Sequence, residues 1–353
     1  MKPLPPIPPM PNCSPSPLGA IIPVIMVEPA AGKPVLAVDL GGTKIVTALI
    51  TPHGEILSRE YTPTLAEEGA KAVIARILAS ASGVLRNASL PYPSLSGIAI
   101  AAAGAIDTQK GVVTKSPNLP DWHNVPLKDE IQTSTGVRTF VINDATAAAL
   151  GEHRFGAGRG INNLIYLTVS TGIGGGIIID GKLYEGASGA AGELGHMTID
   201  VNGPRCACGN IGCLEMLASG KAIAREAQRL IAQGAKTIML DLAEGDAQFV
   251  TAVTVATAAQ KGDAVALSVV NKAATNLGVG LVNFVNIFNP EMIIVGGGVG
   301  KMGELLLKPA RKVVSERAFQ FPASVVRIVS SDLGDNSGVF GAVAFVADAD
   351  RSL

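Results

Sequence analysis

Short aliphatic and β-branched runs alternate along the chain with glycine-rich turns and with longer segments whose apolar positions recur every three to four residues. The runs are too short for helices and hold few polar positions, so they read as strands buried on both faces. They cover residues 35–40 (VLAVDL), 46–50 (VTALI), 96–103 (SGIAIAAA), 139–142 (TFVI), 164–169 (LIYLTV), 177–180 (IIID) and 292–295 (MIIV), and a more polar strand is read near residues 55–61. Helical periodicity predicts helices over residues 65–86, 145–155, 218–233, 249–261, 265–288 and 339–349. Strands and helices in this alternation give an α/β fold. One unit occurs twice: strand, glycine turn, returning strand, at residues 35–50 and at 164–180. That points to an internally duplicated architecture with two equivalent hairpins facing each other.

The turns carry the first chemistry. Asp39-Leu-Gly41-Gly42-Thr43-Lys44 and Ser170-Thr171-Gly172-Ile-Gly174-Gly-Gly176 each combine glycines with hydroxyls. A dinucleotide fingerprint needs its glycines to open a helix, and strands follow here instead; no G-x-x-x-x-G-K-[ST] loop occurs either. What remains is a turn whose backbone N–H groups can surround an anion. A pair of such turns across a cleft could grip one polyphosphate from both sides. Asp39, at the mouth of the first, is placed either to cap the turn or to handle Mg²⁺ beside phosphates.

The second turn is followed by Glu193-Leu-Gly-His196 and by Cys206-Ala-Cys208-Gly-Asn-Ile-Gly-Cys213-Leu-Glu215. Three thiolates and an imidazole complete a closed tetrahedral shell, as in a structural Zn²⁺ site. Buried cysteines or a local disulfide are the competing reading, and C-x-C-x4-C is not a standard finger spacing. Elsewhere, Asn143-Asp144 follows the strand at 139–142 and opens a helix. A carboxylate there can be an N-cap, but carboxyl ends of strands in an open α/β sheet are also where ligands bind. The lone Trp122, beside Asn118 and Asp121, is either packing or the floor of a sugar site. Gly296-Gly297-Gly298 after the strand at 292–295 leaves room for a base or ribose.

Composition narrows the classes. The 353 residues suit two domains, and 48% hydrophobic, 16% charged and 41 glycines describe a soluble α/β protein. A net charge of −1 gives no basic surface for nucleic acid. Four cysteines, three of them in the metal loop, suit a reducing cytoplasm. Residues 1–33 form a proline-rich tail outside the fold. Its apolar piece, residues 18–27, is too short to span a bilayer and does not resemble a signal peptide, so no membrane partner is expected.

Taken together, DLGGTK, STGIGGG, VINDATAAALGE, GELGH, CACGNIGCLE and IIVGGGV resemble, in this order, the motifs of the ROK family (repressors, open reading frames, sugar kinases) of the actin-like ATPase superfamily. The resemblance covers residues 35–347. It differs where the family often has Gly-Pro and this chain has Gly104-Ala105, and where a second asparagine is replaced by Thr146. It implies a two-domain actin-like ATPase (ribonuclease H-like) fold with duplicated βββαβαβα-type domains and an active-site cleft between them. The domains would be residues 34–143, completed by the helix at 337–349, and residues 144–336, with a zinc loop at 196–215. Asp144 would be the general base of an ATP-dependent sugar kinase. Gly104, Asn118, Asn143, Asp144, Glu193, His196 and Glu215 would bind the sugar. Asp39, Gly41, Gly42, Thr43, Lys44, Thr171, Gly172, Gly174, Gly296, Gly297 and Gly298 would bind ATP with Mg²⁺. His196, Cys206, Cys208 and Cys213 would hold Zn²⁺. Glucose is the favoured hexose, with N-acetylmannosamine or N-acetylglucosamine as alternatives. A sugar-sensing repressor and a silent sugar-binding protein are the readings from other classes, and a homodimer or homotetramer is expected.

Overall fold

A computed structural model describes residues 32–116 and 118–351. The predicted proline-rich tail lies, as far as residue 31, outside the described residues. In chain order the strands are β1 (Val35–Leu40), β2 (Lys44–Ile50), β3 (Ile56–Pro63), β4 (Gly97–Ala102), β5 (Ala105–Asp107), β6 (Val112–Lys115), β7 (His123–Val125), β8 (Thr139–Asn143), β9 (Leu164–Val169), β10 (Ile173–Ile179), β11 (Lys182–Leu183), β12 (Met292–Gly296) and β13 (Arg327–Ser330). The helices are α1 (Ala70–Asn87), α2 (Leu127–Thr135), α3 (Asp144–Phe155), α4 (Leu214–Ala218), α5 (Gly220–Ala232), α6 (Met239–Leu242), α7 (Ala252–Gln260), α8 (Ala264–Phe288), α9 (Gly297–Gly300), α10 (Glu304–Arg317), α11 (Gln320–Val325) and α12 (Ser337–Arg351).

Two five-stranded sheets repeat one pattern, β3-β2-β1-β4-β8 and β11-β10-β9-β12-β13. In each, an antiparallel hairpin (β1–β2, β9–β10) is extended by two parallel strands. The duplicated hairpins predicted from the sequence are thus equivalent elements of equivalent sheets. The strands alternate in which core they serve, as a period of two requires. Leu36, Val38 and Leu40 pack with α1 and α2, whereas Val35 and Ala37 pack with Val339, Val343 and Val346 of α12. Likewise Ile165, Leu167 and Val169 face the large core around α8, and Leu164 and Tyr166 face α3. Each sheet is therefore sandwiched, which accounts for the nearly unbroken apolar runs. The long α8 passes by length and composition as a possible membrane span, but Val269, Val270, Leu277, Leu281, Phe284 and Val285 belong to the large core.

The two helices between the sheets are also chain crossings: α3 leads from the first sheet to the second, and α12 leads back. They meet through small residues. A Cβ on Gly341 would lie 1.6 Å from the Ala147 carbonyl oxygen, and one on Gly151 would lie 2.4 Å from that of Ser337. Gly341→Ala is expected to cost about 1–3 kcal/mol, because the helix pair must separate to admit a methyl group. Urea unfolding tests this; a loss under about 0.5 kcal/mol, the range of a neutral surface change, would contradict the close crossing.

Several predicted boundaries shift. The helix expected at 65–86 is broken at Gly69 (φ 84°), so a short 3-10 turn (Ala66–Glu68) precedes α1. The helix at 218–233 starts instead at Gly220, because the Ser219 side chain accepts from Ala222 N–H and caps it. The three-stranded sheet β5-β6-β7 and the strand β13 were not predicted.

Candidate active site

Parallel pairing aligns the ends of β1, β4 and β8: Leu40 lies beside Ala102, and Ala102 beside Asn143. The segments that leave these strands, with Gly41–Gly42, Gly104 and Asn143–Asp144, consequently share one sheet edge. In the second sheet Gly296 pairs with Thr168, which sets the turn after β9 beside the glycines after β12. Most of the residues singled out in the sequence are gathered by these two edges, as expected at the carboxyl side of an α/β sheet.

Asn143 is the N-cap of α3: its Oδ1 accepts from the N–H groups of Ala145 (3.0 Å) and Thr146 (3.1 Å). Its Nδ2 donates to Gly104 O at 3.0 Å. The capping role open to Asp144 thus falls to its neighbour. Asp144 Oδ1 accepts from Ala145 N–H at 2.8 Å, and the residue lines a cavity of about 460 Å³. Gly104, Asn143, Gly174 and Glu193 line the same cavity. So do Asp107 to Gln109 of the β5–β6 hairpin and the 184–192 segment, both unforeseen. Their only sequence signal was a polar, glycine-containing composition, which marks any loop.

Burial pushes the Asp144 carboxyl up to about 6, with the charge of Glu193 adding to the effect against the Ala145 N–H. Burial also lifts Asp39 to about 7; the charge of Asp144 raises it further and Lys44 opposes. Two carboxyls whose charges oppose each other's ionisation are the kind of groups that a nearby cation would favour.

In the first turn Gly41 N–H donates to Lys44 O (3.1 Å), and Thr64 Oγ1 donates to Gly41 O (2.7 Å). A Cβ on Gly42 would stand 2.6 Å from Asn118 O, so Asn118 is placed against this turn. Lys44 points toward Asp335 (3.7 Å), which also pairs with Lys301 (2.8 Å). In the second turn Thr171 is exposed, and Ser170 O accepts from Gly220 N–H at 2.7 Å. Gly174 and Gly176 have a packing reason besides: Cβ atoms there would come within 2.8 Å of Ala145 Cβ and 2.5 Å of Ala149 Cβ. Gly297 (φ 81°) abuts Val169 O, and Gly296 abuts the Tyr166 hydroxyl. Gly298 lies nearest Ser170 Oγ.

His196, Cys206, Cys208 and Cys213 converge, with their ligand atoms all within 4.8 Å of one another. Cys208 Sγ and Cys213 Sγ are 3.7 Å apart, and so are Cys206 Sγ and His196 Nδ1. The sulfur separation excludes a disulfide and matches the edge of a tetrahedron with metal–sulfur bonds of about 2.3 Å. Burial, then the neighbouring thiols, push the Cys213 thiol up to about 12, a crowding that a dication relieves. The remaining imidazole nitrogen, Nε2, faces Glu193 Oε2 at 3.8 Å. Glu215 Oε2 accepts from Ile173 N–H at 2.9 Å and lies against Gly172. Trp122 is 1% exposed and packs in the first core with Leu119 and Leu127, which settles it as packing.

A family model described as "ROK family" matches residues 35–349. A glucokinase from Thermotoga maritima is 38% identical over 313 residues, covering 89% of this chain and 97% of its own. A xylose repressor from Caldicellulosiruptor bescii is 36% identical, covering 88% of this chain and 77% of the repressor. Among solved structures, a ROK family glucokinase from Streptomyces griseus in complex with glucose and AMPPNP is 34% identical, with a TM-score of 0.79 over 89% of this chain and 99% of that one.

Proposed function

Because the chain belongs to the ROK family and has its two-domain actin-like ATPase fold, we propose that it is an ATP-dependent kinase that phosphorylates glucose at the 6-hydroxyl, with Asp144 as general base. The observation that carries this reading is Asp144 itself: a carboxylate at the wall of a sugar-sized cavity and on the same sheet edge as a phosphate-type turn.

Phosphoryl transfer is mostly positioning and charge neutralisation. Glucose occupies the cavity between the first sheet edge and the 184–193 segment, where Asn143 and Glu193 read its hydroxyls and His196 stands behind Glu193. Asp144 accepts the proton of the 6-hydroxyl as that oxygen attacks the γ-phosphoryl of ATP. The turns at 41–44 and 170–172 orient the phosphates through backbone N–H groups, and Lys44 adds positive charge. The glycines at 296–298 leave a flat surface for the adenosine. Mg²⁺ would be held on the Asp39 side, and a structural Zn²⁺ by His196, Cys206, Cys208 and Cys213. When bound, the first neutralises phosphate charge and the second fixes the loop and the His196 ring. A cytoplasmic setting suits both the substrate pair and the three free thiols.

The similarity to a xylose repressor favours one further reading, a sugar sensor without turnover. Coupled assays over a panel of hexoses and N-acetylhexosamines separate the two. Glucose is expected to give the highest kcat/KM, since an N-acetyl amide buried without a partner costs about 1–3 kcal/mol. A tenfold preference for N-acetylmannosamine would overturn glucose but keep the kinase. No turnover with any sugar, alongside measurable sugar binding, would favour the sensor.

A further inference from the structure

Glu152, two turns along α3 from Asp144, is fully buried with an exposure of 0%. Among the described residues no lysine, arginine or histidine forms an ion pair with it. A buried carboxylate of this kind is costly unless its lone pairs are filled. They are. Oε1 accepts from Ser331 Oγ and from Leu333 N–H (2.9 Å), and Ser337 Oγ lies at 3.2 Å. Oε2 accepts from Ala157 N–H (3.0 Å) and Asp332 N–H (3.3 Å). Of these five partners, Ser331, Asp332 and Leu333 lie between β13 and α12, and Ser337 is the first residue of α12.

The opposite side of that same stretch faces residues assigned to the nucleotide side. Asp335 pairs with Lys44 of the first turn and with Lys301 just beyond the 296–300 glycines. Gly338 is packed so closely on Asp39 that a Cβ would stand 2.9 Å from its carboxyl carbon. One turn of chain therefore has the helix of the base on its inner side and three groups of the nucleotide side on its outer side. The sugar-facing residues Gly104, Asn143 and Glu193 make none of these contacts.

We propose that Glu152 is a positioning residue of the reaction: by clasping the 331–337 turn to α3, it fixes Asp39 and Lys44 relative to Asp144. This rests on the kinase reading, but nucleotide affinity tests it without turnover. In Glu152→Gln the amide N–H₂ group meets N–H and O–H donors, so the clasp opens although the volume is kept. Calorimetry is expected to show the affinity for AMPPNP with Mg²⁺ reduced at least fivefold and that for glucose within twofold of the parent. In the coupled assay kcat should fall at least tenfold. A lower melting temperature with unchanged AMPPNP affinity and kcat would make Glu152 a purely structural residue and overturn the proposal. If Glu152→Gln does not fold, Ser331→Ala/Ser337→Ala removes the two hydroxyls and leaves the three backbone donors. The same split, smaller but above twofold, is then expected, and parental AMPPNP affinity would overturn it. A parent protein that binds AMPPNP and glucose yet turns over no sugar would defeat the kinase reading while leaving the affinity test of Glu152 intact.

Discussion

Replacing Asp144 with asparagine is expected to lower kcat by about 10²–10⁴-fold while leaving glucose and ATP affinity within a few fold. Asparagine keeps the shape and can still accept from the Ala145 N–H, but it cannot take the proton of the sugar hydroxyl. The pH profile supplies a second signature. Burial holds the carboxyl near 6, so the basic form is present above that value and is lost as pH falls through it. The kcat/KM of the parent should fall at least tenfold per pH unit on the acid side of about 6, and Asp144→Asn should lose the Asp144 part of that limb and keep the part that belongs to Asp39, whose carboxyl burial also raises. Retention of more than about a tenth of the parent rate would mean that proton transfer occurs late enough to need no base.

Cys208→Ser is expected to strip the metal and to weaken glucose binding by about 10–100-fold. Of the three thiols, Cys208 is the exposed one, whereas Cys206 and Cys213 are buried. A serine there removes a ligand without opening a hole in a core. The loss reaches the sugar through His196, with Nδ1 on the thiol side and Nε2 toward Glu193, while Glu215, which holds the 170–173 turn through Ile173 N–H, carries it to the phosphate side. Elemental analysis should find about one zinc per chain in the parent and well under half of that in the variant. Fully active parent protein free of zinc would refute the role given to the loop.

What the sequence made legible follows from the physics of each element. Both hairpins stood out because strands covered on two faces leave unbroken aliphatic runs, and their turns because glycine and threonine interrupt those runs. The metal set was legible because its ligands are close along the chain. Glu152 was not: in an alanine-rich helix a single carboxylate reads as a solvent-facing position, and its partners come from the far end of the described chain. Asn143 and Asp144 were legible as a pair but not in their division of labour, since either side chain can cap a helix and only the backbone at residue 143 (φ −63°, ψ 142°) assigns the cap. The cavity wall at 184–192 escaped for a different reason. It has no periodicity, and its place depends on the β10–β11 hairpin turning it back toward α3.

The return of α12 has a consequence for how the molecule comes to be made. One face of the first sheet, with Val35, Ala37, Val46, Ala48, Ile50 and Ala99, is covered by Val339, Phe340, Val343 and Val346. A ribosome therefore delivers that face long before its cover, and the early half waits with a greasy surface while the second sheet, the metal loop and α8 are synthesised. Pairing between remote segments is slow to form and prone to sticking in the interim. The first sheet thus cannot complete its core until α12 is made, although its strands are the first to emerge.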